Sequence, residues 1–330
     1  MPTVCGKTVG PIGYGLMGLT WRSEPLPQEV AFPAMRAALM SGANLWNGGE
    51  LYGTPDRNSL HLLNEYFTKY PEDAEKVVLS IKGGLKPGIL MPDGSPENIQ
   101  RSIEECLTVL EGKKFLDQFE CARVDPNTPI EITIAAIQKY VEAGKIGGIS
   151  LSEVGANTIR RAAKVAKISA VEVELSLWAT DIFENGIAKA CAELDIPIIA
   201  YSPIGRGFLS GQLKSPEDIP EGDFRRYIPR FMGDAFYQNL KLVDEVNTVA
   251  SKKGVTPAQI AIAWVRAQSE RNGNPVIIPI PGASSESRVK ENSADITLTE
   301  EEFAEIESIR KNFKPVGERY GAHGAHLMNA

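Results

Sequence analysis

Eight short apolar runs, separated by amphipathic segments, constrain the fold of this chain more than any other feature. They span residues 12–16, 43–46, 77–81, 116–119, 146–151, 170–173, 196–200 and 276–280. Each is short, rich in Val, Ile, Leu or aromatics, and mostly bounded by turn formers, which is the pattern of a buried strand. The segments between them carry helix signals. Ser95-Pro96 reads as an N-cap and an N1 proline, followed by an apolar stripe of Ile99, Ile103, Cys106, Leu107 and Leu110. Thr128-Pro129-Ile130-Glu131, Thr256-Pro257-Ala258-Gln259 and Thr299-Glu300-Glu301-Glu302 read as capping boxes, and Gly144 stands where the second of these four helices would end. Strand and helix alternating eight times over most of the chain predict an α/β fold, a (β/α)8 TIM barrel in one domain across 1–330, with a short N-terminal β-hairpin and a C-terminal tail. A doubly wound open sheet is the alternative.

Composition narrows the function classes. Apolar residues make up 43% of the 330 and charged residues 23%, enough for a sizeable core. A net charge of −7 argues against nucleic acid or an anionic membrane as partner. No stretch approaches the ~18 apolar residues of a membrane span, and the N-terminus lacks a signal-peptide pattern. Cys5, Cys106, Cys121 and Cys191 show no C-x-x-C spacing and read as reduced thiols of a cytoplasmic protein. The three histidines are His61, His323 and His326, which excludes a His-rich metal site and a mid-chain Ser-His-Asp triad; no metal is expected.

Two places invite a chemical reading. The run ending in Trp46 gives way to Asn47-Gly48-Gly49-Glu50-Leu51-Tyr52-Gly53, and the run ending in Ile81 gives way to Lys82-Gly83-Gly84. A tyrosine and a lysine, each just past a strand end, could meet on one face, where the ammonium would lower the phenol's pKa toward working pH and make Tyr52 a general acid. Gly13-Tyr14-Gly15-Leu16-Met17-Gly18 matches the dinucleotide G-x-G-x-x-G, but Pro25 and Pro27 speak against a helix opening at the glycines, so a tight strand-to-loop turn is expected there. Residues 214–238, rich in Pro, Gly, Arg and aromatics, read as a long functional loop. The tail from residue 312 reads as flexible.

Several separated motifs together resemble the aldo-keto reductase superfamily, and within it the fungal pyridoxal reductase branch: the opening glycines, Tyr52-Gly53, Ser80-Ile81-Lys82-Gly83-Gly84, Arg123-Val124-Asp125-Pro126, Ser150-Leu151-Ser152-Glu153, Ala200-Tyr201-Ser202-Pro203, Asp223-Phe224-Arg225 and Pro279-Ile280-Pro281-Gly282-Ala283-Ser284. The resemblance covers nearly the whole chain. It implies a barrel that binds NADPH at its C-terminal face and reduces a small-molecule carbonyl.

Carried over residue by residue, the resemblance makes Tyr52 the proton donor and Lys82 its activator. Asn47 stands at the position of the family's catalytic aspartate and Ala122 at that of its histidine. Asparagine bears no charge, so Lys82 is expected to be less restrained as a cation, and alanine leaves room beside the carbonyl. Trp21 joins Ala122 as a candidate for the substrate pocket. For the cofactor, the resemblance implies contacts from Met17, Ser152 and Glu172, with Ser152 on the nicotinamide carboxamide and Glu172 standing where many relatives have a carboxamide-binding glutamine. Tyr201 is the expected stacking ring, and Ser202, Gly205, Gly207 and Leu209 the expected wrap around the pyrophosphate. Arg225, Gly282, Ser284, Arg288, Glu291 and Asn292 are expected about the adenosine half, with Ser284 and Arg288 on the 2′-phosphate. Gln212 stands where some relatives have a phosphate-binding lysine. The implied reaction is pyridoxal to pyridoxine. A broad aldehyde or ketone reductase and a weakly catalytic NADPH-binding module remain the alternatives.

Overall fold

The structure, a computed structural model, describes residues 1–321 and Met328; His323 and His326 of the tail lie outside the described residues. A hairpin of β1 (Thr3–Val4) and β2 (Lys7–Thr8) precedes a sheet of eight parallel strands. These are β3 (Tyr14–Gly15), β4 (Leu45–Gly49), β7 (Val78–Gly83), β8 (Gln118–Cys121), β9 (Ile149–Ser152), β10 (Ile168–Glu174), β11 (Ile198–Tyr201) and β12 (Ile277–Pro279), lying side by side in chain order. A small hairpin of β5 (Gly53–Thr54) and β6 (Arg57–Asn58) follows β4. The sheet closes on itself: Gly15 bridges to Gly282, and the Gly13 N–H donates to the Pro279 carbonyl at 2.8 Å. The expected barrel is therefore present, and an open sheet is excluded.

The closure explains the glycine run. A Cβ on Gly13 would stand 2.7 Å from the Leu45 carbonyl oxygen and 2.8 Å from the Ile280 side chain, so the first strand must be bare to reach the last. One expectation fails here. A single helical turn, α1 (Met17–Thr20), does open directly after Leu16, and Pro27 instead caps α2 (Gln28–Met40).

The remaining helices are α3 (Ser59–Lys69), α4 (Pro96–Leu110), α5 (Ile130–Glu142), α6 (Ala156–Ala163), α7 (Ile187–Glu193), α8 (Gly233–Lys253), α9 (Pro257–Ala267), α10 (Glu286–Asn292) and α11 (Glu300–Asn312). Ser95 caps α4 through Asn98 N–H, and capping boxes form at Thr256 and Thr299. The box read at Thr128 does not form. Its hydroxyl donates to Asp125 Oδ2 at 2.8 Å, and α5 begins behind Pro129 without a side-chain cap. The long loop is real but displaced: after β11 the chain runs through short 3-10 turns, and α8 starts inside the segment read as loop.

Several strands also run past their apolar stretches. β4 continues to Gly49, β7 to Gly83 and β8 to Cys121, so Asn47 and Lys82 lie within strands rather than beyond them. Inside the lower barrel, Leu45, Val78, Ala170, Ile199, Ile278 and Ile280 pack with Val4 and Val9 of the N-terminal segment. Among the described residues no helix is long and apolar enough to cross a membrane.

Candidate active site at the C-terminal mouth of the barrel

Tyr52 is set by its local backbone. The chain leaves β4 through Gly49 and turns tightly, with the Tyr52 N–H on the Gly49 carbonyl at 3.2 Å. Gly53 follows at φ 134°, where a Cβ would meet the Arg57 carbonyl oxygen at 2.2 Å, so only glycine allows β5 to fold back on β6. Thr20 of α1 donates its hydroxyl to the Tyr52 carbonyl at 2.6 Å. The ring is 8% exposed and stacks on Trp21, with centroids 5.4 Å apart. Lys82, 4% exposed, brings its ammonium to 5.7 Å from the Tyr52 ring centroid.

Lys82 is not loosely held. Its Nζ lies 2.6 Å from Glu172 Oε1 and 3.2 Å from Glu120 Oε1, and donates to Asn47 Oδ1 at 2.8 Å. Asn47 Nδ2 donates in turn to Glu172 Oε2 at 2.6 Å and Glu120 Oε1 at 3.2 Å. Burial alone would depress the lysine pKa, but Glu120 and Glu172 hold it above the ordinary lysine value. The expectation that Asn47 leaves Lys82 less restrained is thus overturned: the charge missing at residue 47 is supplied by β8 and β10. Glu172, considered above for its place at the nicotinamide, turns its carboxylate to Lys82 and Asn47 instead.

The tyrosine's pKa also departs from expectation. Burial pushes Tyr52 up to about 12; Lys82 lowers it, but Glu172 and Glu120 oppose that pull. The phenol therefore holds its proton firmly at neutral pH.

Glu120 escaped the residue-by-residue reading. The signal was present: Phe119-Glu120-Cys121 and Val171-Glu172-Val173 each bury a carboxylate in an apolar strand, which requires a cation, and among the described residues Lys82 is the one lysine buried in a strand.

Around the mouth, Ser152 is buried with its Oγ unpartnered among the described residues. Tyr201 donates to Glu153 Oε1 at 2.9 Å and meets the Tyr320 hydroxyl at 2.7 Å. Burial, then Glu153, pushes its pKa well above the ordinary value. Glu153 and Glu174 pair with Arg319 and Arg206, drawing residues 319–320 onto this rim. Arg123, just past β8 and next to buried Ala122, bonds only the Ala122 carbonyl and, at 3.3 Å, the Tyr320 hydroxyl; it has no carboxylate partner among the described residues.

The loop after β11 carries Ser202 and Gly205 in the left-handed region, where a Cβ on Gly205 would strike Trp178 at 2.9 Å, with Gly207 and buried Leu209 beyond. Arg225 reaches back over this loop, donating to the Arg206 carbonyl at 3.0 Å while pairing with Asp223 at 2.7 Å. Gly282 belongs to the closing bridge beside Met17's turn. Ser284 is exposed, whereas Ser285 caps α10 through Arg288 N–H. Arg288 pairs with Glu291 at 2.8 Å and lies against Gln212, which brings the β11 loop to α10; Asn292 is buried at that helix's end. Among Trp21, Trp46, Trp178, Phe224, Tyr227 and Phe231, Trp46 is core, Trp178 stacks on Phe208, Phe231 is buried beside them, and Phe224 and Tyr227 are exposed. Trp21 alone among them stacks on Tyr52.

A closed parallel barrel with a buried lysine facing a tyrosine at its C-terminal mouth fits an enzyme fold with its site on the βα loops. A family model described as the aldo/keto reductase family matches residues 11–311. A probable pyridoxal reductase 2 from Schizosaccharomyces pombe is 42% identical over 327 residues, covering 97% of each chain. A putative pyridoxal reductase from Saccharomyces cerevisiae is 41% identical over 331 residues, covering 93% of this chain and 95% of the other. Among solved structures, a glycerol dehydrogenase from Gluconobacter oxydans overlays with a TM-score of 0.80 over 93% of each chain at 23% identity, a likeness of fold alone. This chain belongs to the aldo/keto reductase family.

Proposed function

We propose that this protein reduces the aldehyde of pyridoxal to the alcohol of pyridoxine with NADPH. The observation that carries the reading is the Tyr52–Lys82 pair, buried beneath Trp21 at a mouth where Ala122 takes little room. Bound NADPH would supply the hydride that reaches the carbonyl carbon. The residues present suit it. Ser152 offers an unpartnered hydroxyl to a carboxamide, and Tyr201 a ring for stacking. Ser202, Gly205, Gly207 and Leu209 form a close-approach loop under Arg225, and Arg288 with Ser284, near the Gln212 crossing, would hold a 2′-phosphate.

The protein's part is to hold and release a proton. Tyr52 donates it to the substrate oxygen, and the Lys82 ammonium stabilises the resulting phenolate. With no histidine at residue 122, polarisation of the carbonyl falls to other groups. Pyridoxal carries a phenol oxygen next to its aldehyde, and the guanidinium of Arg123 suits that oxygen in charge and geometry. Trp21 offers an apolar wall to the pyridine ring.

NADPH oxidation followed with pyridoxal, pyridoxal phosphate, short aldehydes and ketones tests this. Pyridoxal should be preferred, and NADH should serve poorly. Faster turnover of simple aldehydes than of pyridoxal would replace the reading with a broad-specificity reductase.

A further inference from the structure

We infer that Glu120 and Glu172 share a single proton behind Lys82, and that this proton recharges Tyr52 through Lys82 after each reduction. The kinetic half rests on the reading above; the static half rests on geometry. Two carboxylates, one ammonium and one amide meet inside the barrel, each at most 4% exposed. Both carboxylates touch the same two donors, Lys82 Nζ and Asn47 Nδ2, at 2.6–3.2 Å. With both ionised, the cluster carries one net negative charge in a medium that solvates it poorly; one proton makes it neutral. An aspartate at residue 47 would have added a third carboxylate, so asparagine there is part of the same balance.

Among the described residues no cation other than Lys82 pairs with Glu120 or Glu172; Arg123, just past β8, lies toward Tyr52 and Tyr320 instead. Lys82 comes from β7, Glu120 from β8, and Tyr52 from the loop after β4. The register partners of Glu172 are Ser152 on β9 and Ile199 on β11, both uncharged. β3 and β12 add no acidic or basic side chain. Glu153, Glu174 and Tyr201 belong to the rim cluster with Arg206 and Arg319. Consistent with a shared proton, burial and then Glu120 push Glu172 up to about 8. Glu120 Oε2 and both polar atoms of Gln118, two residues earlier on the same face of β8, are buried and unpartnered among the described residues, which suits ordered water on the far side of the pair.

The steps balance. The Tyr52 O–H bond breaks as its proton moves to the substrate oxygen, while the hydride forms the new C–H bond. The phenolate takes a proton from Lys82 Nζ, and the amine takes the proton held by the carboxyl pair. Solvent returns one proton to the pair before the next turnover. The sum is one carbonyl, one hydride and one solvent proton giving one alcohol.

Infrared spectroscopy of the purified protein reads the static half without turnover. A protonated-carboxyl band should be present at neutral pH, fade on titration through about pH 8, and vanish in both Glu172→Gln and Glu120→Gln. Two isosteric variants keep the test valid if one folds poorly. A band absent from the wild type, or unchanged in both variants, would overturn the shared proton. The kinetic half is read from pH profiles. Wild-type kcat should fall about tenfold per pH unit above about 8, and Glu172→Gln should lose that limb while binding NADPH as before. A band that behaves as expected with an unaltered limb would overturn the relay. Failure of the wild type to reduce any carbonyl would sink the reductase reading and the relay with it, leaving the band to decide the shared proton.

Discussion

The lower and upper halves of the barrel interior are built by the same strands and behave oppositely. β4 contributes Leu45 below and Asn47 above, β10 contributes Ala170 below and Glu172 above, and β7 passes from Val78 through Ser80 to Lys82. Residues two apart share a strand face, so a single step up each strand changes the interior from hydrocarbon to charge. Below, each large apolar side chain removed from water contributes about 1.5–3 kcal/mol and needs no particular partner. Above, every group depends on the others, because a buried carboxylate or ammonium without its partner is strongly unfavourable. One half can be altered at a cost in stability; the other cannot be altered without changing chemistry.

Tyr52→Phe attacks the upper half where the contrast should be greatest. It keeps the ring against Trp21 and deletes the proton. Carbonyl reduction should fall by about 10²–10⁴-fold, with NADPH binding and melting temperature retained. Normal turnover by this variant would remove Tyr52 from the chemistry. The converse change is Leu45→Ala. A leucine fully buried in the lower layer should cost about 2–5 kcal/mol of stability while kcat of the folded protein holds. A collapse of kcat at unchanged stability would mean that the halves are not separable.

The lower half was far more legible in the sequence than the upper. Apolar runs announce themselves by composition, and all eight found their strands. The upper half is polar, so the apolar pattern of β4, β7 and β8 stops short of their upper ends and leaves Asn47 and Lys82 outside it. The tyrosine–lysine pair is visible because each residue lies just past an apolar run, and the family resemblance rests on separated motifs. The counter-charge is not, because the departure at residue 47 is weighed alone. The hydrogen-bond partners of Asn47 lie 73 and 125 positions away, at Glu120 and Glu172, and a local pattern can show a carboxylate buried in an apolar strand without showing which residues it meets. The Tyr52 pKa departs from its expected direction for the same reason: burial and the two carboxylates behind Lys82, neither visible in the sequence around residue 52, outweigh the neighbouring ammonium.

The smallest effect separates the halves by pH. An unfolded glutamate titrates near 4.5, whereas folded Glu172 is pushed up to about 8 by burial and by Glu120. Between those values the native state keeps a proton that the unfolded chain releases. A state that binds more protons loses ground as pH rises, so this group makes stability decline from about pH 5 to pH 8. Lys82, raised above its ordinary value, stays protonated in both states across that window and adds no slope there. Glu172→Gln should therefore flatten the dependence of melting temperature on pH, by on the order of 2 °C per pH unit for a chain of this size. Leu45→Ala, which removes no titrating group, should lower the melting temperature by the same amount at every pH in the window. Differential scanning calorimetry of the three proteins at matched ionic strength reads both slopes. If Glu172→Gln keeps the wild-type slope, the proton assigned to the upper half resides elsewhere, and the two halves differ in polarity alone.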